Sequence, residues 1–401
     1  HGGLDADEAR ELVACFWIKL NREGDDIAHM SLGGQTAAGE DATNPLTTLC
    51  LQVERWISRK QPNLSIRVHP GTPETLWHEI AETICCGAGH PAIFNDDVIV
   101  PGLVDYGVPV ETARDYAEVG CVETFLPGQS APWTDCYLNL TKCLELALND
   151  GCELPTDTRL GPATGEPAAF DTFETLFAAY EAQVKHTLYG MLSAKDDCDA
   201  IVSEHRPAPL NAAVVRDCLQ RGRDATGGGA RYLLMGVYGV GLGTVTDSLA
   251  AIKRLVYDEA TVTLAALLTA MRDDFRGHER LLAQCRHRAP KYGNDDPAAD
   301  DIAVRIIESF GRQMKAYPAR DPHALHYAML GSVKSHVEMG RATAASANGR
   351  RAGETLSDGA SPSQGCNVRG ATATLRSLSK ADYRLAPGGA AADLRLAPHH
   401  L

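Results

Sequence analysis

The sequence lacks several features that would each place it in a particular class of protein. No uninterrupted apolar run approaches the roughly 18–20 residues that a membrane-spanning helix requires. Positive charge is scarce, because the 401 residues contain 38 Lys and Arg against 52 Asp and Glu, for a formal net charge of -14. No basic patch interleaved with aromatic residues interrupts this acidic character. We therefore expect neither nucleic acid nor a membrane surface as a partner.

The cysteines lack the arrangements that are typical of disulfide scaffolds and zinc sites. Twelve cysteines are present, and at about 3% of the chain they fall far below the density of a disulfide scaffold. Their spacing contains no Cys-x-x-Cys pair and no other paired metal-ligand pattern. The sequence thus predicts free thiols in a reducing cytoplasm, with neither a disulfide framework nor a bound metal.

What is present is an alternation of helical and extended patterns. Apolar residues recur three or four positions apart in several segments, which is the spacing of a helix with one buried face. The helices predicted in this way cover residues 5–20, 45–58, 75–85, 170–184, 246–256 and 301–317. Short extended segments are predicted at 65–68 and 91–94, a strand that runs into a loop at 118–135, and loops between buried strands at 342–401. Strands separated by helices indicate an α/β barrel or an open α/β sheet.

The segment Val119-Gly-Cys-Val-Glu123 places a thiol and a carboxylate two positions apart. In an extended backbone alternate side chains point to the same side, so Cys121 and Glu123 are expected to share one face. A thiol and a carboxylate placed in this way suit abstraction of a hydrogen atom coupled to removal of a proton. The alternatives are a small buried apolar role for Cys121 and a turn-capping role for Glu123.

Seven further segments accompany this motif in order along the chain. They are Ser31-Leu-Gly-Gly-Gln-Thr36, Pro62-Asn-Leu-Ser-Ile-Arg67, His90-Pro-Ala-Ile-Phe-Asn-Asp-Asp97, Gly241–Lys253, Lys291-Tyr-Gly-Asn-Asp-Asp296, Ala347-Asn-Gly-Arg-Arg-Ala-Gly-Glu354 and Leu356–Gly365. Together with residues 119–123, this series resembles the glycyl radical enzymes of the pyruvate formate-lyase superfamily. The resemblance extends over nearly the whole chain.

The resemblance implies an α/β fold that is a portion of a ten-stranded glycyl-radical-enzyme barrel surrounded by helices, with Cys121 on a loop inside it. Residues 1–401 are expected to form one barrel domain truncated at both ends. The family's C-terminal glycine radical domain, which contains an Arg-Val-x-Gly-Tyr-like string, has no counterpart in the sequence. No cofactor is expected to be bound directly, because a separate activating enzyme that uses S-adenosylmethionine installs the glycyl radical. A homodimer is expected, and the truncated chain alone is expected to be inactive.

The function implied by the resemblance is that of a radical lyase or dehydratase. A thiyl radical at Cys121 would abstract hydrogen from a small polar substrate, Glu123 would accept the hydroxyl proton, and a neighbouring leaving group would be eliminated. Asp135 is similar in spacing to an aspartate that contacts substrate hydroxyls in the family's glycerol and diol dehydratases. Its alternative role is to cap a predicted helix at 137–148.

The competing functions are a formate C-acetyltransferase-like or arylacetate decarboxylase-like reaction, or a non-catalytic fragment. Acetyl transfer needs two neighbouring thiols, and Val122 stands beside Cys121. Cys85 and Cys86 do form an adjacent pair, but they end a predicted helix and are expected to pack in the core.

Two further polar segments are expected to have structural roles. Residues 95–97 could hold a cation, but their position before an apolar segment favours a capped helix start. Arg350 and Arg351 could hold a substrate anion, but salt bridges are the favoured interpretation.

Overall fold

The computed structural model describes residues 3–21, 28–131, 134–154 and 156–395. The described residues form two compact units, of which the first ends at Ser130 and the second begins at Ala131. Over these parts of the chain, no helix combines the length and the apolar composition that crossing a membrane requires.

The first unit alternates helices with short strands. Its elements are α1 (Ala6–Leu20), β1 (His29–Gly33), α2 (Pro45–Ile57), β2 (Asn63–Val68), α3 (Glu74–Cys85), β3 (Ala92–Asn95), α4 (Asp96–Asp105), α5 (Val110–Arg114), β4 (Ala117–Val119) and β5 (Glu123–Phe125). A parallel sheet forms in the order β1-β2-β3, with α2 and α3 as its crossovers, while β4 and β5 pair separately in antiparallel fashion. The helices and strands predicted between residues 45 and 94 are confirmed to within two residues at each end.

Helix α1 begins where the sequence predicts. The Asp5 carboxylate accepts hydrogen bonds from the first backbone amides, and the Glu8 side chain accepts one in return from the Asp5 amide, which completes a capping box. On this helix Trp17 is directed into the core, whereas Leu12 and Phe16 are exposed.

The second unit is built around another parallel sheet. Its elements are β6 (Thr134–Asn139), α6 (Leu140–Leu148), α7 (Phe173–His205), α8 (Pro209–Val214), α9 (Cys218–Arg221), β7 (Leu233–Val240), α10 (Leu242–Ile252), α11 (Leu264–Arg272), α12 (Glu279–His287), α13 (Pro297–Lys315), β8 (Ala324–Met329), α14 (Ser335–Arg341) and α15 (Ala371–Leu378). The sheet order is β6-β7-β8, and the central strand β7 is buried along its whole length. The helix predicted at 170–184 forms the first part of α7, with its aromatic residues Phe173, Phe177 and Tyr180 all buried.

The prediction of loops between buried strands near the C-terminal end of the chain is correct for the loops and wrong for the strands. Between residues 342 and 395, the described chain contains helix α15 and no strand. In this segment the backbone amides and carbonyls form hydrogen bonds with side chains instead of with a neighbouring strand. The amide of Thr244 donates to Ser357 Oγ at 3.0 Å, and the amide of Ser357 donates to Thr244 Oγ1 at 2.8 Å.

A buried carboxyl group in α10 makes the stability of the second unit depend on pH. Asp247 accepts hydrogen bonds from the Tyr292 amide at 2.8 Å and from Ser363 Oγ at 2.6 Å. Burial nevertheless raises the pKa of Asp247 from 3.8 to about 6. The folded chain therefore binds this proton more tightly than the unfolded chain does. This contribution to stability is complete below pH 3.8 and is lost as the pH rises through 6.

We expect Asp247→Asn to remove this pH dependence, because an amide cannot ionise. The free energy of unfolding of the variant, minus that of the original chain, should rise by ~2 kcal/mol between pH 4 and pH 8, because only the original chain loses stability over this range. Urea denaturation at a series of pH values measures this difference. Parallel profiles for the two proteins would show that the Asp247 carboxyl has an ordinary proton affinity in the folded chain.

Candidate active site

The predicted thiol lies in the tight turn that joins β4 to β5. Val119 pairs with Glu123 across the two strands, and residues 120–122 form the turn between them. Gly120 has a φ of 64°, which favours glycine, and a Cβ at this position would come within 2.8 Å of Glu123 Oε2. The glycine therefore allows the turn to close tightly over the carboxylate.

The Glu123 carboxylate holds the backbone of this turn. Its Oε2 accepts hydrogen bonds from the amides of Cys121 at 2.7 Å and Val122 at 2.9 Å, and the residue is buried. The expectation that Cys121 and Glu123 share a face of an extended segment is wrong, because the chain reverses between them. The two residues come together because the carboxylate caps the turn, which is the alternative role considered for Glu123. A catalytic role for either residue remains a prediction.

The Cys121 thiol is half-buried, and its surroundings favour the protonated form. Burial raises the pKa of the Cys121 thiol, and the negative charge of Glu123 raises it further. A nucleophilic or metal-binding cysteine needs the opposite shift. An intact S–H group is the form that exchanges hydrogen atoms, so this environment suits radical chemistry better than it suits nucleophilic attack.

A polar network behind the turn was not found by sequence reasoning. The Gly120 carbonyl accepts hydrogen bonds from His29 Nδ1 at 3.0 Å and Asn63 Nδ2 at 3.1 Å. His29 Nε2 lies 2.9 Å from Ser65 Oγ, which in turn donates to Glu118 Oε2 at 2.7 Å. Strand register brings these residues together, because His29 on β1 pairs with Asn63 on β2. The available signal was the alternation of the polar residues Asn63, Ser65 and Arg67 with apolar residues along β2.

A second buried cluster in this unit centres on an ion pair. Arg67 donates to both oxygens of Asp96 at 3.0 Å, and Tyr116 donates its hydroxyl to Asp96 Oδ1 at 2.8 Å. Asn95 caps α4 by accepting a hydrogen bond from the amide of Asp97. Residues 95–97 therefore start a helix, as expected, and the carboxylate of the central residue, Asp96, binds Arg67.

Asp135 belongs to the second unit and lies within β6. Its Oδ2 accepts a hydrogen bond from the Tyr137 hydroxyl at 3.0 Å. The alternative role as a helix cap is wrong, because α6 begins at Leu140 and Asn139 caps it by accepting from the amide of Lys142 at 2.9 Å. The role of Asp135 in binding substrate remains a prediction.

The remaining candidate segments have structural roles, with two departures from expectation. Cys85 and Cys86 are both exposed, so their expected packing in the core is wrong. Arg350 is buried and donates to the backbone carbonyls of residues 340, 343, 344 and 354 rather than to a carboxylate. Burial lowers the pKa of Arg350 to about 10. Arg351 forms the expected ion pair, with Asp274.

Within the described ranges, no group of three or more His, Cys, Asp or Glu side chains is arranged so that it could hold a metal ion. All twelve cysteines are free thiols.

Comparison with known proteins identifies what the chain resembles. Residues 1–340 match the family model described as pyruvate formate lyase-like. The chain is 36% identical over 409 residues to (2S)-3-sulfopropanediol dehydratase of Klebsiella oxytoca, covering 96% of this chain and 49% of that protein. The glycerol-bound B12-independent glycerol dehydratase from Clostridium butyricum aligns with a TM-score of 0.92 at 33% identity, covering 97% of this chain and 51% of that one. A glycyl radical enzyme from Archaeoglobus fulgidus gives a TM-score of 0.88 at 31% identity, covering 96% and 51% respectively.

These similarities confirm the predicted resemblance and the predicted α/β fold, that of a portion of a glycyl-radical-enzyme barrel. The chain spans about half the length of the relatives and structures that it matches. The substrates for which those proteins are named therefore belong to chains about twice as long.

Proposed function

The chain belongs to the pyruvate formate lyase-like family, and from that membership we propose that it carries the hydrogen-abstracting centre of a radical dehydratase or lyase. The proposed substrate is a small polar molecule with a hydroxyl on one carbon and a leaving group on the next. The observation that carries the proposal is one half-buried thiol, held in its protonated form, in a turn capped by a buried carboxylate. Because the chain spans about half the length of the relatives that it matches, the activity is proposed for an enzyme of their full length that contains these residues.

The reaction begins when Cys121, as a thiyl radical, takes a hydrogen atom from the carbon that bears the hydroxyl. This step is accessible because S–H bonds and C–H bonds next to oxygen are similar in strength. Glu123 accepts the hydroxyl proton, and the resulting ketyl-like radical expels the leaving group from the neighbouring carbon. The product radical then takes the hydrogen atom back from Cys121, which restores the thiyl radical for another cycle.

The turn geometry couples the proton transfer to the position of the thiol. The carboxylate that would accept the proton is also the acceptor for the amides of Cys121 and Val122. Protonation of Glu123 weakens these two charge-assisted hydrogen bonds. The two hydrogen bonds to the turn are therefore strongest before hydrogen abstraction, and they weaken once the substrate hydroxyl proton has moved to Glu123. Asp135 is proposed to bind a substrate hydroxyl, as an aspartate at this spacing does in the dehydratases that the sequence resembles.

The remaining parts of the proposal concern partners and compartment. We propose that a separate enzyme, which uses S-adenosylmethionine, installs the glycyl radical that generates the Cys121 thiyl radical, and that the full-length protein is a homodimer. The twelve free thiols support a reducing compartment, for which we propose the cytoplasm.

Activation of the full-length enzyme under anaerobic conditions, followed by product analysis, tests the proposal. One mixture contains pyruvate and coenzyme A, a second contains arylacetates, and a third contains vicinal diols, choline, isethionate and trans-4-hydroxyproline. We expect elimination products from a member of the third mixture and none from the first two. The reason is that acyl transfer needs a second thiol beside Cys121, where Val122 stands. Acetyl-coenzyme A and formate from the first mixture, with nothing from the third, would assign acyl transfer instead.

A further inference from the structure

A buried hydrogen-bonded chain connects Glu118 to the backbone of the Cys121 turn. It runs from the Glu118 carboxyl through Ser65 Oγ and the His29 ring to the Gly120 carbonyl, and its members come from β4, β2 and β1. The side chains of His29 and Glu118 are only 4% and 0% exposed, and Ser65 is buried. Because these side chains are shielded from water, His29, Ser65 and Glu118 must themselves supply every hydrogen that the hydrogen bonds between them require.

The geometry fixes how many protons the chain must hold. A carbonyl oxygen only accepts, so His29 Nδ1 must carry the hydrogen that it donates to Gly120. Ser65 has one hydrogen for two contacts. If that hydrogen points to Glu118, then His29 Nε2 must also carry a hydrogen, and the ring is an imidazolium opposite a carboxylate. If it points to His29, then Glu118 must be protonated. Both arrangements contain one proton more than a neutral imidazole and a carboxylate would hold.

The neighbouring charges favour the imidazolium arrangement. A free imidazole binds a proton more readily than a free carboxylate does. The Arg67 guanidinium interacts electrostatically with Glu118, which favours the ionised carboxyl, and the buried Asp96 and Tyr116 complete the surroundings of Arg67. Glu118 Oε1 is buried without a hydrogen-bond partner among the described residues, and His29 Nε2 lies 3.9 Å from Glu118 Oε2, within ion-pair distance.

We propose that His29, Ser65 and Glu118 share one proton, which resides on His29, and that they act as positioning residues for the Cys121 turn. The proposal deepens the proposed function and rests on it for its role in turnover. With the proton present, each hydrogen bond from Glu118 through Ser65 and His29 to the Gly120 carbonyl has one donor and one acceptor. The turn is then bound at its Gly120 carbonyl by His29 and at its amides by Glu123. Loss of the proton removes one of these hydrogen bonds. Either His29 Nδ1 has no hydrogen to donate to the Gly120 carbonyl, or Ser65 has no hydrogen to donate to the Glu118 carboxylate.

The same unit contains a histidine–carboxylate pair with a different proton count. His69 Nδ1 accepts a hydrogen bond from the Gly71 amide at 3.1 Å, and its Nε2 lies 3.0 Å from Asp41 Oδ1. One ring nitrogen must be unprotonated and the other protonated, so the geometry requires a neutral ring. His69 is therefore an internal control for His29 in the same spectrum.

Nitrogen-15 NMR of the chain labelled at histidine tests the proposal directly. The His29 signals are assigned by their disappearance in His29→Gln. At pH 7.5 we expect both ring nitrogens of His29 to be protonated, while His69 shows the strongly shifted signal of an unprotonated nitrogen. In Glu118→Gln the amide can donate to Ser65, Ser65 can donate to Nε2, and His29 should become neutral with its bond to Gly120 intact. Asp41→Asn is the matched control and should leave His29 unchanged.

In the full-length enzyme, His29→Phe removes the ring hydrogen bond to the Gly120 carbonyl and should lower kcat roughly tenfold, which is the size expected for one lost interaction of a positioning residue, with little change in KM. Asp41→Asn should leave kcat unchanged. An unprotonated His29 nitrogen in the original chain, or an unchanged His29 spectrum in Glu118→Gln, would overturn the proposal. The NMR result does not depend on turnover, so inactivity toward every substrate tested would count against the proposed function and leave the shared proton standing.

Discussion

Glu123→Gln should lower kcat of the activated full-length enzyme by roughly 10²–10⁴-fold, which is the usual effect of losing a positioned general base. The glutamine oxygen can still accept the amides of Cys121 and Val122, so the turn should keep its structure while the group that takes the proton is lost. The glycyl radical should be installed to the original extent, because the separate activating enzyme generates it before the Cys121 turn takes part in the reaction. Electron paramagnetic resonance measures the radical, and product formation under saturating substrate measures kcat.

Two further variants complete this test. Cys121→Ser should abolish turnover, since an alcohol O–H bond is too strong to exchange hydrogen with the substrate carbon. Glu82→Gln, at an exposed carboxylate of the same unit, is the matched control and should keep the original kcat. If Glu123→Gln also keeps the original kcat, then turn capping is the whole role of Glu123 and another residue takes the proton.

The local part of the site could be predicted from sequence, and its geometry could not. Cys121 and Glu123 are two positions apart, so their proximity did not depend on the fold. Their relative orientation did, because the positive φ of Gly120 turns the chain where an extended segment was expected. The His29 network joins residues as many as 91 positions apart. Only the register of β1 against β2 and the position of the β4–β5 turn bring them together, and neither leaves a periodic signal in the sequence.

The predicted helices were reliable where one face is continuously apolar. The helix at 170–184 was predicted from the spacing of its apolar residues alone, and one face of this part of α7 is buried. Cys85 and Cys86 were misjudged because α3 buries Leu76, Ile80 and Thr83, which lie on one face, while the two cysteines fall outside that face. The segment after residue 342 was misjudged because buried side chains replace strand pairing there, as the four carbonyls bound by Arg350 show.

The largest effect on stability is expected from the buried ion pair of the first unit. Asp96→Ala leaves the Arg67 guanidinium buried without its carboxylate, although two backbone carbonyls still accept hydrogen bonds from it. Breaking a buried pair in this way costs about 3–5 kcal/mol, a large share of the 5–15 kcal/mol that typically stabilises a folded protein. Urea denaturation followed by tryptophan fluorescence suits the measurement, since the buried Trp17 lies in this unit.

The matched control is Asp97→Ala, which removes an exposed carboxylate from the next position of the same helix. It should change the free energy of unfolding by less than ~0.5 kcal/mol, as most surface substitutions do. The double variant Arg67→Met with Asp96→Leu removes both charges, so no unpaired ion remains and the stability should recover in part. This recovery distinguishes an unpaired charge from a simple loss of packing, because packing alone would make the double variant less stable than Asp96→Ala. A cost below ~1 kcal/mol for Asp96→Ala would mean that the backbone carbonyls of Arg114 and Tyr116 suffice to hold the guanidinium.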